Sequence, residues 1–290
     1  MLKHKEPQLL KEFKKIPQDK TVKVGPGDDC AVIDRGDKFL LFCGDMLIED
    51  VHFRIREVKF KDLGYKALAR VLSDVASMGG YPKYAGLSLA LPPKYSSKIK
   101  EILKGVEEIA KEFNFNLVGG DLSRAKTIFL DAWCIGYVEK NNLSLRSEAK
   151  DKDGIFVTGA LGLGYRENFK FSPKIKEARW LVKNCQINSM IDISDGLVLD
   201  LYRILSESKK QAVLWEEFIP LTENVSLKKA LYQGEDYQLL FTAPLKEKEK
   251  IVSRGFYFIG EVKKGRKPRI FLKRRDKKFL PLELKGYFSI

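Results

Sequence analysis

The chain has 290 residues, of which 44% are hydrophobic and 32% charged, and its formal net charge is +14. This balance fits a soluble globular chain with one large or two modest cores; it excludes a disordered chain, and no apolar run reaches the roughly 20 residues of a membrane span. The basic excess is spread along the chain, with concentrations at 263–269 and 273–278 but no nucleic-acid-binding signature, so it is read as a Lys-rich solvated surface that also attracts phosphorylated ligands.

Residues 22–24 and 31–33 read as strands flanking the turn Gly25-Pro26-Gly27-Asp28-Asp29. The apolar run 39–43 ends in Gly44-Asp45 and suits a buried strand. From 62 to 78, Leu63, Ala67, Leu68, Val71, Leu72 and Val75 recur at helical spacing, and Gly79-Gly80 then stops the helix. A strand over 84–91 follows, then a helix capped by Ser96 or Ser97 and running to about 113. Strands at 115–118, leading into Gly119-Gly120-Asp121, and at 127–138 close the first half.

Charged residues 139–153 read as a junction, after which the pattern restarts. Strands are expected at 155–158, 190–193, 213–215, 238–242, 257–260 and 269–272. Helices are expected from about 174 to 183 and at 196–206, 227–232 and 245–253, with Ser194 or Asp195 as the cap of the second. The fold class is therefore α/β of the α+β type, with halves 1–139 and 140–290. Residues 1–20 lack the apolar stretch of a signal peptide, and a cytoplasmic protein is expected. Cys30, Cys43, Cys134 and Cys185 form no CxxC pair and read as small hydrophobes or free thiols.

The informative pattern is the placement of aspartates. Asp28, Asp29, Asp45, Asp121, Asp192 and Asp195 fall at strand ends or turns, most beside glycine, and Asp74 falls on a helix. Converging carboxylates need cations, and magnesium is commonly shared between carboxylates and phosphates. Glycines let a backbone approach a phosphate and donate N–H groups to it. Each corner also has an ordinary reading. Gly-Asp is a common turn, Asp195 can simply cap a helix, and Asp74 can pair with Arg70 at i,i+4. A phosphate-loop lysine, the protein-kinase motifs and a recognisable catalytic triad are missing.

Five segments taken in order carry a resemblance. They are Gly-Asp-Asp-Cys-Ala (27–31), Ser-Asp-Val-Ala-Ser-Met-Gly (73–79), Val-Gly-Gly-Asp (118–121), Ile-Asp-Ile-Ser-Asp-Gly-Leu (191–197) and Gly-Glu-Asp-Tyr-Gln-Leu-Leu-Phe (234–241), with Lys-Gly-Tyr (285–287) extending the match. The chain resembles the thiamine-monophosphate kinase family, within the superfamily of aminoimidazole ribonucleotide synthetase. The resemblance implies two α/β domains, a homodimer built on the N-terminal sheets, and transfer of a phosphoryl group from ATP to thiamine monophosphate with the help of several magnesium ions. It implies metal ligation by Asp28, Asp29, Asp45, Asp74, Asp121, Asp192 and Asp195, with Asp192 and Asp195 at the reacting phosphate. Gly120, Asp121, Arg146 and Ser194 would meet ATP, and His52, Glu235 and Tyr287 the thiamine monophosphate. The alternative is a superfamily enzyme that uses ATP on another acceptor.

The sequence departs from the family pattern at several positions. Cys43-Gly44 stand where hydroxyl residues are usual, Gly159 to Gly164 lack the usual Asp and Ser, the Arg-His-x-x-Pro stretch is reduced to Lys170-Phe171-Ser172-Pro173, and Gln233 replaces a glycine.

Overall fold

In the computed structural model, which describes residues 6–164 and 168–284, the chain builds two seven-stranded sheets. Helix α1 (Glu6–Phe13) precedes β1 (Val22–Val24), β2 (Ala31–Arg35) and β3 (Lys38–Ile48). Then come α2 (Phe60–Ser77), β4 (Tyr81–Leu91), α3 (Ile99–Phe113), β5 (Asn116–Gly119), β6 (Leu122–Arg124) and β7 (Phe129–Glu139). The first sheet runs β1-β2-β3-β7-β4-β5, with β6 also on β4. Its pairs are antiparallel except β4 with β5 and with β6.

Strand alternation gives this sheet one buried face. Leu41, Cys43 and Leu47 of β3 point inward with Leu130, Ala132 and Cys134 of β7, while Phe42 and Met46 point out. Helix α2 covers the inner face, and 13 of its 18 residues are buried because the later segments Ser189–Asp192 and Ile175–Asn184 pack against it as well. It also lies tight against α3, where a Cβ on Gly105 would stand 1.8 Å from the Lys61 carbonyl oxygen.

The second sheet comprises β8 (Asp153–Val157), β9 (Ser189–Asp192), β10 (Lys210–Trp215), β11 (Leu239–Pro244), β12 (Tyr257–Lys264), β13 (Ile270–Lys273) and β14 (Phe279–Pro281). Their order is β14-β13-β10-β12-β8-β11-β9, antiparallel apart from β10 with β13. Helices α4 (Ile175–Asn184), α5 (Leu197–Ser208), α6 (Leu227–Tyr232) and α7 (Lys248–Ser253) accompany it. Among the described residues, no helix is long and apolar enough to cross a membrane.

Two local expectations change. Residues Pro93–Lys98 form a 3-10 turn, and the Ser96 hydroxyl donates to the Pro93 carbonyl instead of capping α3. Neither Ser194 nor Asp195 caps α5. The N-cap is Gly196, and Asp200, inside the helix, accepts the backbone N–H groups of Asp195 and Gly196 at 3.0 and 3.1 Å. Asp195 is thereby left to face the cleft.

Candidate active site

Helix α2 forms the floor of a cleft to which both halves contribute corners. The β1–β2 turn brings Asp28 and Asp29, β3 brings Asp45, α2 brings Asp74, and the end of β9 brings Asp192, with Ser194 and Asp195 in the turn after it. One carboxylate oxygen from each of Asp29, Asp74 and Asp192 lies within 4.8 Å of the other two. Two hydroxyls of α2 orient this triangle. Ser77 donates to Asp29 at 2.7 Å, and Ser73 donates to Asp192 at 2.6 Å.

The electrostatics of the triangle are those of an under-neutralised site. Burial, then the Asp29 charge, pushes the Asp192 carboxyl up to about 8. Burial, followed by Asp192 and Asp45, holds Asp74 well above the usual range. Burial, then Asp29, raises Asp28 to about 6. Ionising all of these groups together requires positive charge among them. The donor set offers only oxygen, which suits magnesium and not zinc or copper.

Arginines serve Asp29 of the triangle and the carboxylates around it. Arg146 pairs with Asp29, and its backbone N–H donates to Asp28 at 3.1 Å. Arg203 of α5 reaches Asp195 and Asp200, each at 2.5 Å. The ordinary alternative for Asp74 was a pair with Arg70 along α2, and Arg70 does not take it. It forks instead onto Asp45, with Nε 2.6 Å and Nη2 2.9 Å from its oxygens, while Asp74 joins the triangle. Sequence reasoning missed Arg70 and Arg203 as cleft residues, and also Lys66, Ser73 and Ser77. The signal for those on α2 was polar residues recurring within an otherwise apolar helix.

The other end of the cleft is made of loops. His52 and Glu235 also line an adjoining smaller pocket formed by 50–54 and 233–235. The Ile48 N–H donates to His52 Nδ1 at 3.0 Å. Burial, followed by the charges of Arg70 and Lys66, lowers the imidazole to about 4, so it is neutral at pH 7 with its proton on Nε2. Lys66, 0% exposed, pairs with Glu235, and its ammonium lies 4.4 Å from the Phe169 ring centroid. Glu235 and Tyr237 adopt left-handed backbone, φ 68° and 49°. Between them, Asp236 accepts the N–H groups of Gly162 and Leu163 at 2.8–3.0 Å. The glycine-rich segment after β8 therefore anchors this loop, and these two of its N–H groups are turned to Asp236.

Gly120 and Asp121 stand apart from the cleft. They occupy the β5–β6 corner, and β4 and β7 lie between them and Asp45. Gly120, at φ 155°, packs where a Cβ would meet the Leu87 carbonyl oxygen at 1.9 Å. Tyr287 lies outside the described residues.

Residues 27–138 match the family model described as AIR synthase related protein, N-terminal domain, and the mixed α/β architecture of two sheets matches the AIR synthase-like fold. The chain is 32% identical to thiamine-monophosphate kinase of Bacillus subtilis over 92% of its own length and 93% of the relative's. It is 34% identical to that of Pyrococcus horikoshii over 87% and 86%. It superposes on AaThiL complexed with AMPPCP and TMP with a TM-score of 0.84, at 29% identity, covering 97% of this chain and 96% of that one. The thiamine monophosphate kinase of Aquifex aeolicus gives 0.79 at 27% identity, covering 96% and 99%. The chain belongs to the thiamine-monophosphate kinase family, and it is a phosphate-accepting phosphotransferase.

Proposed function

We propose that the chain transfers the γ-phosphoryl group of ATP directly to the phosphate of thiamine monophosphate, in the cytoplasm, giving thiamine diphosphate and ADP. The observation that carries this reading is the oxygen triangle of Asp29, Asp74 and Asp192, set between an arginine-lined end and a pocket beside His52 and Glu235. Asp28, Asp29, Asp45, Asp74, Asp192 and Asp195 are the residues to hold magnesium. When bound, magnesium would offset the repulsion between the two phosphates and the charge spread over the transferring group.

The chain's own residues do the rest. Arg146 and Ser194 grip the nucleotide's phosphates, with Asp192 and Asp195 nearest the γ-phosphate. His52 and Glu235 hold the acceptor with its phosphate toward the triangle, and Tyr287 is proposed as a further contact to it. In-line placement brings an acceptor phosphate oxygen to the γ-phosphorus. The new P–O bond forms as the bond to the β–γ bridging oxygen breaks, and ADP leaves with that electron pair. The attacking oxygen belongs to an ionised phosphate, so no side chain need remove a proton, in keeping with a neutral His52.

A homodimer is part of the proposal. The outer face and edge of the first sheet expose Phe42, Met46, Leu117, Val118 and Leu122, the last at 65%. A second copy on this surface would cover them, and Gly120 and Asp121 at that edge are proposed to act on nucleotide and metal from the assembled state. The halves 1–139 and 140–290 are proposed as the two domains, with the cleft between them. The deciding experiment is a product assay on purified protein with magnesium and ATP. ADP and thiamine diphosphate should appear together only when thiamine monophosphate is present, and no product from folded protein sinks the reading.

A further inference from the structure

Arg70 and Asp74 of α2 line the cleft, and Lys66, on the same stripe at i, i+4 and i+8, is buried behind it against Glu235. At about 1.5 Å of rise per residue, Arg70 lies about 6 Å along the helix from each of the other two. Lys66 marks one end, because it is paired with Glu235 of the smaller pocket. Asp74 marks the other, within the carboxylate triangle. An acceptor seated in the pocket must extend its phosphate past Arg70 to reach the triangle.

The guanidinium is equipped to meet that phosphate. Nη2 donates to Asp45 and Nη1 to the Met46 carbonyl, each at 2.9 Å, while Nε lies 2.6 Å from Asp45 without a hydrogen bond, so these contacts use two of the five N–H donors of an arginine. The side chain lines the cleft together with His52 and Glu235. Asp45 is also a residue proposed to hold magnesium, and one carboxylate cannot give the same oxygens fully to both cations.

We infer, resting on the phosphotransfer reading above, that Arg70 is a binding residue for the acceptor's phosphate, held on Asp45 until a divalent cation draws that carboxylate away. In this arrangement Asp45 keeps the guanidinium folded against β3 in the cation-free protein. Metal loading releases donors of the fork toward the incoming phosphate, and the acceptor meets a positive group only where metal is already in place. Arg146, at the nucleotide end on Asp28 and Asp29, has no such position between pocket and triangle.

The test uses the full chain carrying Arg70→Gln and, separately, Arg70→Lys. In Arg70→Gln, KM for thiamine monophosphate should rise at least about tenfold while KM for ATP changes less than about twofold, since a charged fork on one phosphate is lost. Arg70→Lys should fall between, keeping the charge without the fork, and it carries the test if the glutamine variant does not fold. A second readout needs no turnover. Mn2+ titrated calorimetrically into nucleotide-free protein should bind about three- to tenfold more tightly to Arg70→Gln, because Asp45 has lost its competing cation. An unchanged KM for thiamine monophosphate in a folded variant overturns the inference, as does Mn2+ binding that weakens along with the melting temperature. If the wild-type chain forms no thiamine diphosphate, the phosphotransfer reading falls and this inference with it. If the wild type turns over and both variants keep its KM, this inference alone falls.

Discussion

The two ends of the cleft are built in opposite ways. The end proposed to hold metal takes its carboxylates from a helix, a strand face and the turns that adjoin strands, with Asp29 and Asp192 held by hydroxyls of α2. The end proposed for the acceptor is loop, with Asp50, Glu235 and Tyr237 all in left-handed backbone. Such conformations cost non-glycine residues on the order of 1–3 kcal/mol each and persist only where surrounding contacts impose them. Here those contacts include Asp236 on Gly162 and Leu163, Asn168 on the Glu235 and Asp236 carbonyls, and the Phe171–Tyr237 stack. The difference teaches that this site joins a rigid, scaffold-borne charge centre to a recognition end whose shape depends on many long-range supports.

The sharpest way to break this comparison is at the charge centre. Asp192→Asn and Asp195→Asn should each lower turnover by a factor on the order of 10²–10³, as loss of a main electrostatic contact does. Their melting temperatures should hold or rise, since at Asp192 the change removes a buried, poorly compensated carboxylate. Near-normal turnover with a large melting loss would return both residues to a structural role.

At the acceptor end the balance reverses. Glu235→Gln strands Lys66, fully buried on α2, and should cost about 3–5 kcal/mol of stability, measured by chemical denaturation. Adding Lys66→Met should recover much of that stability without restoring acceptor binding. If the single variant were as stable as wild type, the loop would not depend on this pair.

A smaller effect separates the ends by pH. Asp28, Asp192 and Asp200 have folded-state values of about 6, 8 and 7, raised by burial from 3.8. Folded protein thus holds these protons more tightly than unfolded chain. Their contribution to stability is complete below about pH 4 and is lost as pH rises through 6 to 8. Without metal the melting temperature should fall across that range. Saturating magnesium should flatten the decline, and an identical slope with and without magnesium would count against metal at these carboxylates. The smallest expected change is Leu122→Asp, which should alter sedimentation from dimer toward monomer with little effect on the melting of the chain itself.

The same contrast governs what could be read from the sequence. Gly27-Asp28-Asp29, Gly44-Asp45 and Asp192-Ile193-Ser194-Asp195 announce themselves because each is a short polar corner between apolar runs. Asp29 and Asp192 of the triangle come from such corners and Asp74 from the helix α2, so the convergence of these aspartates was legible, as was α2 itself. Partner choice was not. Arg70 prefers a strand carboxylate to its helical neighbour, and Asp200 reaches back to the N–H groups of Asp195 and Gly196 while neither Ser194 nor Asp195 caps the helix, because tertiary placement outweighs local spacing. The support of the acceptor loop was illegible for another reason. Lys66, Asn168 and Gly162 are distant in sequence from residues 235–237, and left-handed backbone at Glu235 and Tyr237 carries no glycine to signal it.

Helix α2 spans the distance between the two ends as a ruler cut into one element. Its Lys66 meets Glu235, its Arg70 meets Asp45, and its Ser73, Asp74 and Ser77 meet the triangle, so the spacing between pocket and triangle is a count of residues. A single residue inserted between Lys66 and Asp74 would turn everything beyond it by about 100° and advance it by about 1.5 Å. It would carry the serines and Asp74 away from Asp29 and Asp192 while leaving Lys66 on Glu235. Length changes are therefore intolerable in this helix. In the placement proposed above, acceptor length is matched to eight residues of α-helix, so a longer or shorter acceptor should meet the triangle out of step.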